Sequence, residues 1–232
     1  AGQPGETRRG QEKEESALSR TLDWTLAGAQ VVLHGEGALF YPAESALLVA
    51  DTHFGKAALM RRRGLAVPSG QSRDDLQRLS GLIGALSPRR LIVLGDFFHH
   101  RPSPGEPFLQ LFPQWLAQHR AVSVEAVVGN HDRHAAGVDI GICWHDFLDL
   151  GPFRLRHEPE PVAGRHVLAG HLHPVLTLQV AADRLRAPVF WFREQVSVLP
   201  SFGALTGGWD VPRNAPGRTV LVIEGELFEG PG

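Results

Sequence analysis

The chain has 232 residues, of which 43% are hydrophobic, so it is long enough to bury a sizeable core. Its formal net charge of −2 excludes a global basic field that would recruit nucleic acid, and its single cysteine, Cys143, excludes an internal disulfide framework. No stretch approaches the roughly 18 apolar residues that a membrane helix needs, and the N-terminus lacks the layout of a signal peptide, so we expect a cytoplasmic protein.

The first segment of the chain, residues 1–20, is polar, rich in glycine and charged in both signs. Such a segment cannot bury enough apolar area to offset its conformational entropy. We therefore predict that residues 1–20 are disordered and that residues 21–232 form a single domain. The first predicted elements of this domain are a strand hairpin, a buried strand with a polar end and a short helix: QVVLH with ALFYP, then SALLVADTH, then KAALMRRRG.

The middle of the chain alternates helices with strands. GQSRDDLQRLSGLIGAL has apolar residues at helical spacing, and RLIVLGDFFHH is a buried strand with a polar exit. Residues 105–119 could form a second helix, although Pro113 favours a break. VEAVVGNHD and HVLAGHLHP repeat the layout of strand and polar end, and later strands are TLQV, APVFWF, VSVLP and TVLVIEGELF. We expect an α/β fold, a four-layer sandwich of two mixed β-sheets flanked by helices.

Four of the buried strands end in residue types that bind metals. Ligands of α/β sheets bind beyond the carboxyl ends of strands, and residues i and i+2 at a strand end project to the same side. Glycines before several of these residues allow tight turns and close approach of the backbone. The clusters are Asp51-Thr52-His53, Gly95-Asp96 with His99, Gly129-Asn130-His131-Asp132 and Gly170-His171-Leu172-His173, and His157 stands between the last two.

The residue types in these clusters fit a pair of metal ions. Carboxylate, amide oxygen and imidazole suit manganese, iron or zinc. Seven oxygen or nitrogen ligands from these clusters would be too many for one tetrahedral zinc. They would suit two metals that share a carboxylate. Each motif taken alone is more often a chance match or an ordinary turn. Their ordered recurrence after buried strands favours a metal site, because titratable groups buried without a metal would carry a heavy desolvation penalty.

In these motifs the chain resembles the calcineurin-like metallophosphoesterase superfamily, whose pattern is D-x-H, G-D-x-x-[DH], G-N-H-[DE], H and G-H-x-H. All five blocks occur here in order, between Leu47 and Pro174. A longer likeness, from Ser45 to Gly208, is to the ligase-associated DNA-damage-response endonucleases of that superfamily. It rests on DTHFGKAALMRRRGLAVPSGQSRDDLQRL, LIVLGDFFHH, VVGNHDR, LAGHLHPV and LPSFGALTGG.

The superfamily resemblance implies two divalent cations, which we expect to be manganese, with iron, zinc or magnesium as alternatives. It implies that Asp96 bridges the two metals and that His131 is a general acid or stabilises charge on the phosphate. His99 stands where the superfamily often has aspartate, so it is a candidate phosphate contact. The implied ligands are Asp51, His53, Asp96 and His173 for the first metal, and Asp96, Asn130, His157 and His171 for the second.

The subfamily resemblance implies an endonuclease that acts on single-stranded DNA in repair, in functional association with DNA ligase and helicase repair proteins. A phosphatase or small-molecule phosphodiesterase, for example one acting on a nucleotide, would share the same metal centre. A binding module with an inactive metal site is a third alternative, and the complete ligand set argues against it. The motifs do not separate the first two functions, because substrate choice depends on surfaces outside the shared centre.

A run of cations follows the first motif and consists of Lys56, Arg61, Arg62 and Arg63. Because the net charge is slightly negative, contact with DNA must come from such a local patch. We therefore predict that Arg61 and Arg62 contact the phosphate backbone of the substrate. The alternative for this run is a solvated helix face.

Overall fold

The computed structural model describes residues 20–135, 138–180 and 183–230. The segment that we predicted to be disordered, residues 1–20, therefore lies outside the described residues except for Arg20. Within the described ranges, no helix is long and apolar enough to cross a membrane. The cytoplasmic location stays a prediction, as does the single domain over residues 21–232.

Seven strands form the first sheet: β1 (Thr21–Leu26), β2 (Ala29–His34), β3 (Ala38–Tyr41), β4 (Ala46–Val49), β5 (Arg90–Leu94), β6 (Ser123–Val127) and β7 (Cys143–His145). They lie side by side in chain order. β1 to β4 pair antiparallel through short turns, whereas β4 to β7 pair parallel. Parallel neighbours need long connections. Helices fill two of them, with α1 (Lys56–Arg62) and α2 (Gln71–Leu86) after β4 and α3 (Pro107–Gln118) after β5.

Nine strands form the second sheet: β8 (Leu148–Leu150), β9 (Phe153–Leu155), β10 (His166–Ala169), β11 (Pro174–Val180), β12 (Asp183–Phe192), β13 (Val196–Val198), β14 (Trp209–Asp210), β15 (Arg218–Ile223) and β16 (Glu226–Glu229). The main order is β14-β11-β12-β13-β10-β9-β8, and β15 joins β12 and β16. β9, β10 and β13 pair parallel, whereas β11, β12 and β15 pair antiparallel, so the sheet is mixed. Short 3-10 helices cover Pro42–Glu44 and Asp132–Ala135.

The main core lies between the two sheets. Leu48 and Leu94 of the first sheet meet Phe153 and Phe190 of the second. A second cluster packs side chains of α2 and α3 on the outer face of the first sheet, and a third covers the second sheet with strand and loop side chains. The predicted two-sheet α/β sandwich is confirmed. Its described helices pack on the first sheet only, because the connections within the second sheet are too short for crossover helices.

Two local features differ from the sequence predictions. The helix α3 continues through Pro113, because Trp115 is buried beyond it and its Nε1 donates a hydrogen bond to Leu76 O at 3.0 Å. Packing on both sides of the proline therefore outweighs the lost backbone hydrogen bond. The strand β1 was not predicted, although its buried residues Trp24 and Leu26 follow the two-residue period of a strand.

Candidate metal centre

The four predicted motifs meet at one edge of the sandwich. The loops after β4 and β5 are joined by backbone hydrogen bonds, from Asp51 N to Gly95 O at 3.2 Å and from His53 N to Asp96 O at 2.9 Å. The loop after β10 joins them from the opposite sheet, since His171 N donates to both carboxylate oxygens of Asp51 at 3.2 and 3.0 Å. The backbone thus fixes the relative positions of the candidate ligands.

The first ligand group comprises Asp51, His53 and His173, whose ligand atoms lie within 4.8 Å of one another. The Nε2 atoms of His53 and His173 are 3.2 Å apart, and His173 Nε2 lies 3.5 Å from Asp51 Oδ1. Two imidazole nitrogens and a carboxylate oxygen that face one point form a favourable environment for a divalent cation.

The second ligand group comprises Asp96, Asn130, His157 and His171. His157 Nε2 lies 2.8 Å from Asn130 Oδ1, 3.0 Å from His171 Nδ1 and 3.5 Å from Asp96 Oδ1. Its other ring nitrogen, Nδ1, lies 3.2 Å from Leu94 O and donates a hydrogen bond to it. This contact fixes the tautomer and leaves the Nε2 lone pair free for a metal.

The Asp96 carboxylate lies between the two groups. Its Oδ1 faces His157 of the second group, and its Oδ2 lies 3.8 Å from His53 Nε2 of the first. Asp51 also approaches His157, at 3.7 Å, but on the Nδ1 side that faces Leu94. Asp96 therefore has the position expected of a bridging ligand.

The two carboxylates of this centre are buried without a cationic side chain as partner among the described residues. Asp51 and Asp96 are 0% and 3% exposed, and among the described residues neither forms an ion pair with lysine or arginine. Burial, followed by the charges of His173 and Lys56, lowers the pKa of His53 to about 2, so its imidazole is neutral at neutral pH. Buried carboxylates are costly unless a counter-charge or a metal neutralises them. The donor set therefore fits divalent metal ions.

Five of the seven candidate ligands have a backbone conformation that non-glycine residues avoid. Nine described non-glycine residues have positive φ, and more than half of them are at this centre. Each such residue costs on the order of 1–3 kcal/mol and persists only where the surrounding structure imposes it. The five are Asp51, His53, Asp96, His171 and His173, with φ between 46° and 71°.

Gly129 leaves room for the bridging carboxylate, since a β-carbon there would overlap the main-chain nitrogen and Oδ1 of Asp96. Gly129→Ala is expected to displace Asp96, reduce bound metal and activity, and destabilise the fold by about 1–3 kcal/mol. Metal analysis and thermal unfolding check this. The control is Gly84→Ala, where the added carbon has no atom within 4 Å and metal content should not change. Full metal content and activity in Gly129→Ala would contradict the need for this close approach.

His131 is held at the rim of the centre by its main chain and its ring. His131 N donates to Asp96 Oδ1 at 2.9 Å, and Nδ1 donates to His99 O at 2.8 Å. The free Nε2 faces inward, 3.9 Å from Asp96 Oδ2, and the side chain is 36% exposed. This position fits a group that meets the substrate without binding a metal.

His99 packs against two residues of the centre. Its ring stacks on that of His131 at a centroid distance of 4.8 Å, and its Nδ1 lies 3.3 Å from Nδ1 of His53. Burial, followed by the charge of Lys56, lowers the pKa of His99 to about 4, so it is neutral near pH 7. A neutral His99 orients the rings of His53 and His131, and its contact with phosphate stays a prediction.

Asp132 has a role that the sequence analysis did not assign. Its buried carboxylate accepts hydrogen bonds from Gly129 N at 2.9 Å, Phe97 N at 3.1 Å and Phe98 N at 2.8 Å. These bonds tie the loop after β6 to the loop after β5, and so hold Asn130 beside Asp96. The only sequence signal was its place at the end of Gly-Asn-His-Asp, which also suits an ordinary turn.

The loop with the sequence LPSFGALTGG forms hydrogen bonds to the backbone of Asp51 in the first motif. Ser201 Oγ donates to Asp51 O at 2.9 Å, and Gly203 N donates to the same oxygen at 3.2 Å. Arg78 holds this loop on α2, since its Nη1 donates to Phe202 O at 2.8 Å and its guanidinium lies 4.1 Å from the centre of the Phe202 ring. The loop therefore stabilises the strained Asp51 backbone from the side of the second sheet.

The predicted phosphate contacts Arg61 and Arg62 have partners within the chain. Arg61 Nη1 donates to Pro68 O at 2.8 Å, and Arg62 Nη1 donates to the buried Glu106 carboxylate at 2.8 Å. A guanidinium has five donors, so Arg61 keeps most of its capacity for a ligand. Both contacts to DNA stay predictions, and the ion pair with Glu106 weakens the case for Arg62.

Comparisons with known proteins agree with this geometry. The calcineurin-like phosphoesterase family model matches residues 45–173. The crystal structure of the nuclease MPE from Pseudomonas putida is 36% identical, covers 90% of this chain and 99% of its own, and superposes with a TM-score of 0.80. No curated protein matches the sequence.

Two weaker structural matches carry no argument about activity. A protein of unknown function from Aquifex aeolicus is 20% identical over 55% of this chain and 78% of its own, with a TM-score of 0.38. The phosphoesterase YfcE from E. coli is 15% identical over 77% and 88%, with a TM-score of 0.36. The family match over more than half of the chain, and the 36% identity to the Pseudomonas nuclease, are sufficient. The chain belongs to the calcineurin-like phosphoesterase family and is a metal-dependent phosphoesterase.

Proposed function

We propose that this phosphoesterase is an endonuclease that cleaves single-stranded DNA in DNA repair, with two manganese ions in the centre formed by Asp51 to His173. The observation that supports nuclease activity most strongly is the 36% identity to the Pseudomonas putida nuclease over 90% of the chain. The preference for single strands and the repair role rest on the likeness to the ligase-associated endonucleases. On the same likeness we propose functional association with DNA ligase and helicase repair proteins.

The shape of the centre is compatible with a polymeric substrate. Asn130 and His171 of the second group are exposed, and His131 and His173 are partly exposed, so one side of the centre borders solvent. Pockets for small molecules usually enclose most of their ligand. A centre that opens at the surface instead permits a strand to enter and leave on both sides of the reacting phosphate.

The chain's own residues account for orientation and proton transfer. Two bound divalent cations would supply an activated water and neutralise charge on the phosphate. His131 Nε2 faces the position of the substrate, because Nδ1 is held by His99 O. In its protonated form His131 donates to the leaving oxygen. The buried carboxylates and the glycine-lined loops keep the ligands in place during this step.

A parallel assay tests the proposed substrate class. With manganese present, turnover should be fastest on single-stranded DNA, slower on duplex DNA and slowest on a phosphomonoester such as p-nitrophenyl phosphate. A generic diester, bis(p-nitrophenyl) phosphate, should also be hydrolysed, because it reaches the same centre. Faster hydrolysis of the monoester than of any DNA would assign the protein instead as a phosphatase.

A further inference from the structure

Two adjacent cavities lie between α1 and α2, and the smaller one borders the metal centre at His53. A narrow cavity beside His53 is lined by Lys56, Ala57, Gln71 and Ser72. Three of these residues, Ala57, Gln71 and Ser72, also line a larger cavity of about 310 Å³ that contains Arg61 and Arg73. The two cavities therefore lie next to each other, separated by these three residues. We call them the α1–α2 trough, defined by Lys56, Ala57, Arg61, Gln71, Ser72 and Arg73.

Lys56 places a positive charge where the trough meets the centre. It is half-buried, and within the described part of the chain it forms no ion pair. Burial lowers the pKa of Lys56, and the charge of Asp96 opposes that shift. Two divalent cations beside it would repel the ammonium. A cation in this position is favourable when an anion binds between it and the metals, as a substrate phosphate does.

The rest of the trough is also positive. Arg73 is exposed and has no side-chain partner among the residues that the structure describes, and Arg61 uses one donor. Each carboxylate that lines the trough has an arginine partner. Glu106 pairs with Arg62 at 2.8 Å, and Asp75 pairs with Arg78 at 3.2 Å. The unpaired charges therefore favour an anionic ligand that extends away from the metals.

The larger cavity has the size and floor for one nucleotide. Its volume lies at the lower end of the range of roughly 300–1,000 Å³ that small-molecule pockets occupy. Ala58, Phe108 and Leu111 supply apolar walls, and Ser69 and Ser72 supply hydroxyl groups. An apolar wall beside a cationic rim suits a base or sugar next to a phosphate.

We propose that the α1–α2 trough binds the nucleotide next to the scissile phosphate of a single strand, with Lys56 on the scissile phosphate and Arg73 on the neighbouring one. This inference rests on the proposed nuclease function and names a binding path for its substrate. It also changes the expected cationic contacts, because Arg62 is engaged by Glu106 whereas Lys56 and Arg73 have no ion pair in the described residues.

Binding of a fluorescein-labelled oligothymidylate tests the role of Arg73. We would measure anisotropy in manganese at several sodium chloride concentrations, in the His131→Ala background so that the strand is not cut. Removing one phosphate contact should lower the log–log salt slope by about 0.7. Arg73→Ala should show this loss, Arg73→Lys should largely restore it, and Arg89→Ala, which removes an exposed arginine beyond the other end of α2, should not. Equal slopes for Arg73→Ala and Arg89→Ala would overturn the proposal.

Turnover tests the role of Lys56. Lys56→Met keeps the buried aliphatic stem and removes the charge, so the metal content and thermal stability should be retained. The kcat/KM should fall on both DNA and bis(p-nitrophenyl) phosphate, and Lys56→Arg should recover part of the loss. Unchanged kcat/KM on both substrates would overturn the contact. Failure of the parent protein to cleave DNA, while it hydrolyses a monoester, would instead refute the proposed nuclease function.

Discussion

Asp96→Ala is expected to abolish turnover and to lower the metal content of the protein. The two oxygens of Asp96 face different ligand groups, towards His157 at 3.5 Å and His53 at 3.8 Å. Without this carboxylate, each of the two metal sites would lose a candidate ligand, and the negative charge that offsets the repulsion between two cations would be gone. Because metal ions supply several kcal/mol of charge stabilisation in the transition state, we expect kcat/KM to fall by at least about 10³-fold. Elemental analysis and an assay with bis(p-nitrophenyl) phosphate measure the two effects.

The conservative variant Asp96→Asn removes the negative charge of the side chain and keeps its shape. The amide oxygen can still accept the hydrogen bond from His131 N that Asp96 Oδ1 accepts at 2.9 Å, so the loop should stay folded. Metal affinity should nevertheless fall, because an amide is a weaker ligand than a carboxylate for divalent cations. Two metals per chain at full occupancy in Asp96→Ala would contradict the bridging role.

His131→Ala is expected to retain its metals and to lose activity on substrates with poor leaving groups. The substitution keeps the hydrogen bond from the main-chain nitrogen to Asp96 and removes only the ring. A general acid contributes typically about 10²–10⁴-fold, and we expect a loss of this size for DNA, whose leaving group is an alkoxide. Steady-state rates on DNA and on bis(p-nitrophenyl) phosphate provide the comparison, because nitrophenolate needs little protonation.

The comparison also separates the two roles considered for His131. If its ring only stabilises charge on the phosphate, both substrates should lose activity equally. His99→Ala is a useful companion variant, since His99 stacks on His131 and lies beside His53 but keeps its backbone oxygen in place. If activity falls further in His99→Ala than in His131→Ala, the position of His53 matters more for turnover than proton donation by His131 does.

The convergence of the candidate ligands was predictable because each motif is local and follows a buried strand. The carboxyl ends of adjacent parallel strands meet at one sheet edge, so Asp51, Asp96 and Asn130 had to lie close together. His157 was placed in this set from its order in the chain, and its buried ring lies between Leu94 and Asn130; its role as a ligand stays a prediction. The two-sheet architecture was predicted because helices and strands alternate in the first part of the chain, whereas strands dominate the later part.

Other features depend on contacts between residues far apart in sequence. The positive φ of Asp51 and His53 is imposed by hydrogen bonds to the loop after β5, so no local propensity predicts it. Likewise, Asp132 joins the two loops only because the main-chain nitrogens of Phe97 and Phe98 lie within hydrogen-bonding distance of its carboxylate.

The cationic run shows the same dependence on distant contacts. The sequence around Arg62 does not show that Glu106 lies opposite it, and that ion pair separates Arg62 from its equally charged neighbours. Likewise, only the structure shows that Lys56 and Arg73 have no ion pair among the described residues.

Diffraction from crystals grown with manganese is the most direct test of the metal centre. The anomalous signal at the manganese absorption edge should show two peaks in the centre, both within bonding distance of Asp96. One should be bound by Asp51, His53 and His173, and the other by Asn130, His157 and His171. A single peak, or a pair in which Asp96 touches only one ion, would contradict the bridged two-metal centre.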